Sequence, residues 1–242
     1  MNLQPGASSL RLLAVLLVSI ALAATASAQT PVTFYDGTFG PGWVASVAGL
    51  TGTVTYTFAA GGGGFPGASE KETHKLTAVG GVAFMYLANF NSVNTFTGAF
   101  KSLSYSYDLA NPGKHDVFYA IAVQQIVAGV PTVYIPDKTQ ILDIVQLVNT
   151  FAAAPNPYFT TGLVASQFCK IPTNANYGND IDCTQNPNFS SSTQQTVFGY
   201  VVGNSFTGSG SGIYKTAIDN WCVVLDGPSG PGSVGRGCRG IY

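Results

Sequence analysis

The chain has 242 residues, 9% of them charged, and a formal net charge of −1. It holds 29 Gly, 15 Phe and 12 Tyr against two Glu and three Arg, a balance that favours strands over exposed helices. The three Arg are Arg11, Arg236 and Arg239, so residues 29–235 carry seven Lys and eleven acids with no guanidinium. Phosphate-rich partners are gripped by Arg and Lys, and nucleic acid is therefore excluded as an expected ligand.

Arg11 precedes an apolar stretch over 12–24, and Ala26-Ser27-Ala28 fits the small-x-small cleavage rule. The stretch is short for a bilayer span, and no later segment is long and apolar enough to be one. Residues 1–28 read as a signal peptide, 29–226 as one β-sandwich domain and 227–242 as a Gly-rich tail. The expected location is secreted, either extracellular or periplasmic.

Short strands are expected at 32–35 and 43–47. Residues 51–58 alternate Thr51, Thr53, Thr55 and Thr57 with Val54, Tyr56 and Phe58, the pattern of a half-buried antiparallel strand. The Gly-rich stretch 59–67 reads as a flexible loop, and Gly80-Gly81 as the turn of a hairpin joining 74–79 to 82–87. Residues 101–109 alternate again, with Leu103, Tyr105 and Tyr107 on one face and Ser102, Ser104 and Ser106 on the other. The continuous apolar run at 117–123 predicts a strand buried on both faces. A turn at Gly129 leads to a strand at 133–135.

Within 137–151, Gln140, Asp143, Gln146 and Asn149 recur every third residue, and Asp137 with Gln140 resembles a capping box. This predicts a short helix over 138–151; the richness in β-branched residues argues instead for an irregular strand. Residues 163–168 read as a short strand or turn, 169–192 as a long polar loop and 196–202 as a strand. The stretch 214–226 closes the fold, with an Asp219-Asn220-Trp221 corner. Four Cys in an exported chain predict two disulfides. Three pairings are possible; Cys169–Cys183 and Cys222–Cys238 are favoured because each closes a local loop rich in Asn, Pro or Gly. A zinc site is disfavoured, since no CxxC occurs and His74 and His115 are the only His. The fold class is all-β, a two-sheet antiparallel sandwich of jelly-roll type.

Four short pieces carry a resemblance: Gly64-Phe-Pro-Gly67, the 98–108 strand, Phe198-Gly-Tyr200 and Ile218-Asp-Asn-Trp221. With them the chain resembles secreted bacterial jelly-roll domains of the laminin IV-type and galactose-binding-like kinds. That resemblance implies a non-catalytic adhesion or carbohydrate-binding role. The local Cys pairs and the long 169–192 loop depart from it.

The residues themselves argue against catalysis. Retaining and inverting glycosidases need two carboxylates flanking one bond, and the two Glu are Glu70 and Glu72. Asp180 and Asp182 stand at strand spacing in an Asn-rich loop and read as solvated. Gly208-Ser-Gly-Ser-Gly212 has Gly where a nucleophile elbow needs Ser. For a metal, the expectation is structural calcium held by Asp36 and Asp219, because first and last strands often neighbour one another and calcium takes carboxylate oxygens. The competing reading is that Asp219 and Asn220 form a polar turn whose side chains bond local backbone. For a sugar, the candidate platforms are Tyr177, in a polar loop, and Trp43. The expected function is a non-catalytic binding or surface module for neutral carbohydrate or other surface proteins. The alternatives are a self-associating structural protein and, ranked last, a carboxylate-dependent glycan-active enzyme.

Overall fold

The computed structural model describes residues 32–37, 39, 43–48, 54–64, 67–76, 82–89, 94–110, 117–137, 142–144, 158–171, 181–205, 212–227 and 238. The proposed signal peptide and most of the tail lie outside them. Fourteen strands occur among the described residues: β1 (Val32–Asp36), β2 (Trp43–Ala48), β3 (Val54–Gly64), β4 (Gly67–Leu76), β5 (Val82–Asn89), β6 (Thr95–Thr97) and β7 (Ser102–Ala110), then β8 (Val117–Val127), β9 (Val130–Pro136), β10 (Leu142–Ile144), β11 (Tyr158–Leu163), β12 (Phe168–Lys170), β13 (Gln195–Ser205) and β14 (Gly212–Asp226). One sheet runs β11-β7-β14-β4-β3, with β1 also on β14; the other runs β12-β9-β8-β13-β5-β2, with β10 on β8 and β6 on β13. Every pairing is antiparallel. Among the described residues no helix is long and apolar enough to cross a membrane. The expected two-sheet sandwich is the fold.

The core follows from the period-two pattern of the central strands. Leu103, Tyr105, Tyr107 and Leu109 of β7, with Val223 and Leu225 of β14, meet Tyr119, Ile121 and Val123 of β8 and Phe198, Tyr200 and Val202 of β13. Ring contacts cross between the sheets, as at Phe34–Phe198 (5.3 Å) and Tyr107–Tyr119 (6.2 Å). The continuous apolar run in β8 has the expected cause. Its other face, Ala120 and Ala122, is covered by Ile171 with Ile181 packed beside it. These two Ile flank residues 172–180 in the loop stapled by the Cys169–Cys183 disulfide. The second disulfide joins Cys222 to Cys238 and forms a small buried cluster with Val224 on the outer face of β14. Both are the pairings that the local loops favoured.

Phe189 reaches the core from the loop after Cys183. Its ring packs on Phe100 at 4.3 Å and on Phe168 at 5.6 Å. Buried Gln125 holds that loop with both ends of its amide, accepting from Asn188 N (2.8 Å) and donating to Asn188 O (3.0 Å). A side chain that satisfies both backbone groups of one residue fixes the loop where a single bond would let it pivot.

Three expectations change. Residues 142–144 form a strand on β8, Leu142 opposite Tyr119, where a helix was expected; the rest of 138–151 lies outside the described residues. Hydrogen-bonding partners across a sheet override a weak three-residue periodicity in a β-branched run. Residues 59–64 are not a loop but the second half of β3, paired with β4 from Ala59↔Lys71 to Gly64↔Gly67. Gly supplies no side-chain period to read, yet it pairs through its backbone. The stretches around Gly80-Gly81 do not form a hairpin, since β4 pairs with β3 and β14 while β5 pairs with β2 and β13 in the other sheet.

Tyr105 and Tyr107 stack at 5.3 Å and are 2% and 1% exposed. Burial raises both hydroxyl pKa values above 10.0, that of Tyr107 further, with the neighbouring Tyr105 adding to it. A raised folded value means that the neutral form is favoured in the fold. The associated stability is present below pH 10 and is lost as pH rises past the unfolded value. Urea midpoints should therefore fall steeply above about pH 10, with tyrosinate absorbance appearing together with unfolding. In Tyr107→Phe that fall should be shallower; an equal slope in the two proteins would show that Tyr107 is not the linked group.

Candidate functional site

The polar centre of the described structure is a bulge in β14. Pairing with β7 runs through Asp219↔Asp108 and resumes at Cys222↔Ser106, so Asn220 and Trp221 together oppose one residue of β7. Asn220 occupies the extra position with φ of +50°, a conformation that Asn tolerates better than most residues. On its other edge β14 pairs with β4 as far as Ile218↔Glu70 and with β1 from Trp221↔Asp36 onward. The bulge thus lies at the seam between two strands that share one neighbour.

Two environments result. Inward, Trp221 is fully buried, its ring edge-on to Trp43 at 5.4 Å. Its Nε1–H points at Gly199 O, 3.4 Å away. Outward, the Asn220 side chain joins three strands. Its Nδ2 donates to Asp108 Oδ2 (2.7 Å) and its Oδ1 accepts from the Tyr35 hydroxyl (2.8 Å). Its backbone N–H donates to Asp219 Oδ1 (2.7 Å). Asp108 and Asp219 are 2% and 0% exposed. Gly37 lies close beside this group: a Cβ there would displace the Tyr35 hydroxyl and stand 3.2 Å from Asn220 Oδ1.

Asp36 organises the turn after β1. Its Oδ1 accepts from Phe39 N and its Oδ2 from Trp43 Nε1, each at 2.7 Å. Phe39 has φ of +45°, and the carboxylate bond holds that turn. Asp36 and Asp219 do come from neighbouring strands, as expected. Asp36, however, spends these bonds on Phe39 and Trp43, and the residue directly across from Asp219 is Asp108. Sequence reasoning placed Asn220 in a polar corner, which the Asn220 N–H to Asp219 Oδ1 bond fits, and missed Asp108 and Tyr35. Asp108 does carry a signal, as an acid ending an otherwise Ser-bearing face, but only strand pairing shows what it faces.

Trp43 is corrected as a sugar platform. It is 7% exposed, packs against Phe39, Tyr200 and Trp221, and donates its N–H to Asp36. Tyr177 and Asp180 lie outside the described residues. Asp182 accepts from Thr184 N and Oγ1 and from Gln185 Nε2. The Thr184 bonds hold its carboxyl below its ordinary value, which is the polar turn that the Asn-rich context suggested. Among the described residues, no group of three or more His, Cys, Asp and Glu gathers as a metal site would require.

A second feature lies on the outer face of the β8–β13 sheet. Among the described residues, Thr95, Gln124, Ile126, Pro131, Gln195 and Val197 line a groove, and none of these carries a charge. Beside it the β8–β9 hairpin tip exposes Ile126, Val127 and Val130 at 46%, 45% and 58%. The tip turns through Ala128 and Gly129, both with positive φ, the backbone that suits a two-residue hairpin turn.

No family model matches the sequence, and no curated protein matches it. Among solved structures, the enzymatically active domain of tailspike protein 4 of bacteriophage CBA120 is similar at a TM-score of 0.30 and 11% identity, over 76% of this chain and 19% of that one. The chain thus spans under a fifth of that protein's length, and a likeness this slight carries no argument about chemistry.

The bulge can be tested by separating backbone strain from hydrogen bonding. Asn220→Gly removes the side-chain bonds but suits φ of +50°, whereas Asn220→Ala removes the same bonds and adds left-handed strain of about 1 kcal/mol or more. Urea melts should rank wild type above Asn220→Gly and Asn220→Ala last. Equal midpoints for the two variants would show that the positive φ carries no cost.

Proposed function

We propose that the protein is a secreted, non-catalytic binding module that takes a neutral carbohydrate in the groove of the β8–β13 sheet. The observation behind this reading is the chemistry of the lining. Gln124, Gln195 and Thr95 offer amide and hydroxyl groups beside the apolar Ile126, Pro131 and Val197. Sugars present hydroxyls around apolar C–H faces, and a few placed polar groups among apolar ones are what such ligands need. The described lining residues carry no cation, and sulfated or uronate sugars, whose anions need a cationic partner, fit them less well than neutral ones. The stapled loop beside the groove and the Gln125 clamp support a preformed site, which lowers the ordering cost of binding.

A glycan array probed with the mature protein should give signals on neutral glycans. Gln124→Ala and Gln195→Ala should each weaken the best of them by up to about tenfold, the scale of one lost hydrogen bond. Silence on neutral glycans, or unchanged affinity in both variants, would sink the groove as the site.

One observation favours a second reading, self-association. Ile126, Val127 and Val130 protrude together, and clustered exposed apolar residues mark contact surfaces. Sedimentation of the wild type should then show concentration-dependent oligomers that Val130→Asp abolishes; a monomer at every concentration removes this reading and leaves the groove standing.

A further inference from the structure

The β8–β9 hairpin runs past the strands beside it. On one edge the last described pair between β8 and β13 joins Gln125 to Thr196. On the other, β12 reaches along β9 only as far as Tyr134, opposite Lys170. Beyond both points β8 and β9 go on pairing with each other, through Ile126↔Pro131 to Val127↔Val130. Among the described residues, 126–131 therefore extend from the body of the sheet as a two-stranded tip. Exposure begins at the same place: Val123 and Gln125 are buried, whereas Ile126, Val127 and Val130 are 46%, 45% and 58% exposed.

The chemistry of the tip is uniform. Residues 117–136 contain no Asp, Glu, Lys, Arg or His, so the tip and the strands that carry it are uncharged. Opposed residues of an antiparallel pair share a face, and successive residues alternate. Val127 and Val130 thus stand on one face of the tip, and Ile126 and Pro131 on the other. Both faces are apolar. Pro131 has no N–H, which removes a donor that the projecting backbone would otherwise have to satisfy. The chain reverses at Ala128 and Gly129, with φ of +50° and +80°, the backbone of a tight two-residue turn. The aliphatic side chains are therefore held out by a paired ladder and not by a long loop.

The area of the tip decides between occupants. Three half-exposed aliphatic side chains present at most a few hundred Å² of apolar surface, against about 800 Å² that each partner gives to a stable protein interface. A second copy of the chain, or any flat protein partner, would also cover one face of the tip and leave the other in water. A lipid surface surrounds a projecting tip on both faces and needs no matching contour. We propose that the β8–β9 tip inserts into the interfacial zone of an uncharged phospholipid surface and docks the protein there. Insertion is shallow and driven by burial of apolar area. It lacks the attraction that basic clusters have for anionic lipids, since none flanks the tip in the sequence. So small an apolar area makes the docking weak and reversible, as for a single short lipid anchor. The proposal goes beyond the groove and is independent of what the groove binds. Ile126 and Pro131 belong to both features, so Val127 and Val130 are the positions that test the tip alone.

The test floats the mature protein with phosphatidylcholine vesicles on a density gradient. A bound fraction that grows with lipid concentration is expected, and it should be equal at low and high salt because no charge carries it. Val130→Asp should lower that fraction at least about tenfold, because a carboxylate resists leaving water. Val127→Trp should bind at least as well as the wild type, and its emission should shift to the blue when vesicles are added. Trp43 and Trp221, 7% and 0% exposed, should not give that shift in the wild type. An unchanged urea midpoint checks the fold of each variant. Gln124→Ala and Gln195→Ala should float like the wild type, which separates loss of lipid binding from loss of glycan binding. The proposal is overturned by no flotation at millimolar lipid, by a bound fraction unchanged in Val130→Asp, or by flotation with anionic vesicles alone that salt abolishes. Oligomers that Val130→Asp abolishes, with no flotation, would also overturn it and assign the tip to a second copy of the chain.

Discussion

The structure depends on the placement of Trp221. Its indole is the largest fully buried side chain, and it stands where β14 passes from β4 to β1 on one edge while keeping β7 on the other. A regular strand would have to keep strict alternation through this seam. The extra residue at Asn220 resets the alternation, so that Trp221 joins the aromatic layer with Trp43 and Tyr200 while Cys222 points outward to Cys238. The packing of a large ring thereby outweighs a positive φ of order 1–2 kcal/mol, because full burial of an aromatic side chain is worth more than that.

The same distortion brings polar groups together on the opposite face. Asn220 serves as a three-way connector because its amide both donates and accepts, linking β7 through Asp108 and β1 through Tyr35. A hydrocarbon at this position would leave the Asp108 carboxylate and the Tyr35 hydroxyl without these bonds. Core packing and outer polar chemistry are therefore two consequences of one inserted residue.

On the other sheet the design differs. The outer face of β8 and β13 is small and apolar under Ile171 and Ile181, and it becomes amide-rich toward Gln124 and Gln195. The stapled loop covers the first part, which leaves the second as surface. The Cys169–Cys183 link stabilises the loop by restricting the unfolded chain, and the Gln125 clamp fixes its far end. The face proposed to bind is thus rigid where it is covered and accessible where it is polar.

By itself the sequence determined the class of fold and the strands with a strong side-chain period, and it favoured, among three possibilities, the disulfide pairing that the structure shows. The alternation at 101–109 became β7, the apolar run at 117–123 became part of β8, and both local Cys pairs formed. These features rest on near neighbours along the chain, which is where periodicity and loop closure act. It did not determine the Gly-rich half of β3, since Gly carries no face to read. Nor did it determine that β4 and β5 part into different sheets, or that 142–144 becomes an edge strand. The Asp108–Asp219 pair, separated by 111 positions in the chain, exists only through strand register, and a one-residue slip would turn one of the two to the other face. Trp43 reads in the sequence as a candidate sugar platform at the start of a strand, and only the tertiary structure placed it in the core. There Asp36 satisfies its N–H, which lets a polar-tipped ring be buried without an unpaired donor.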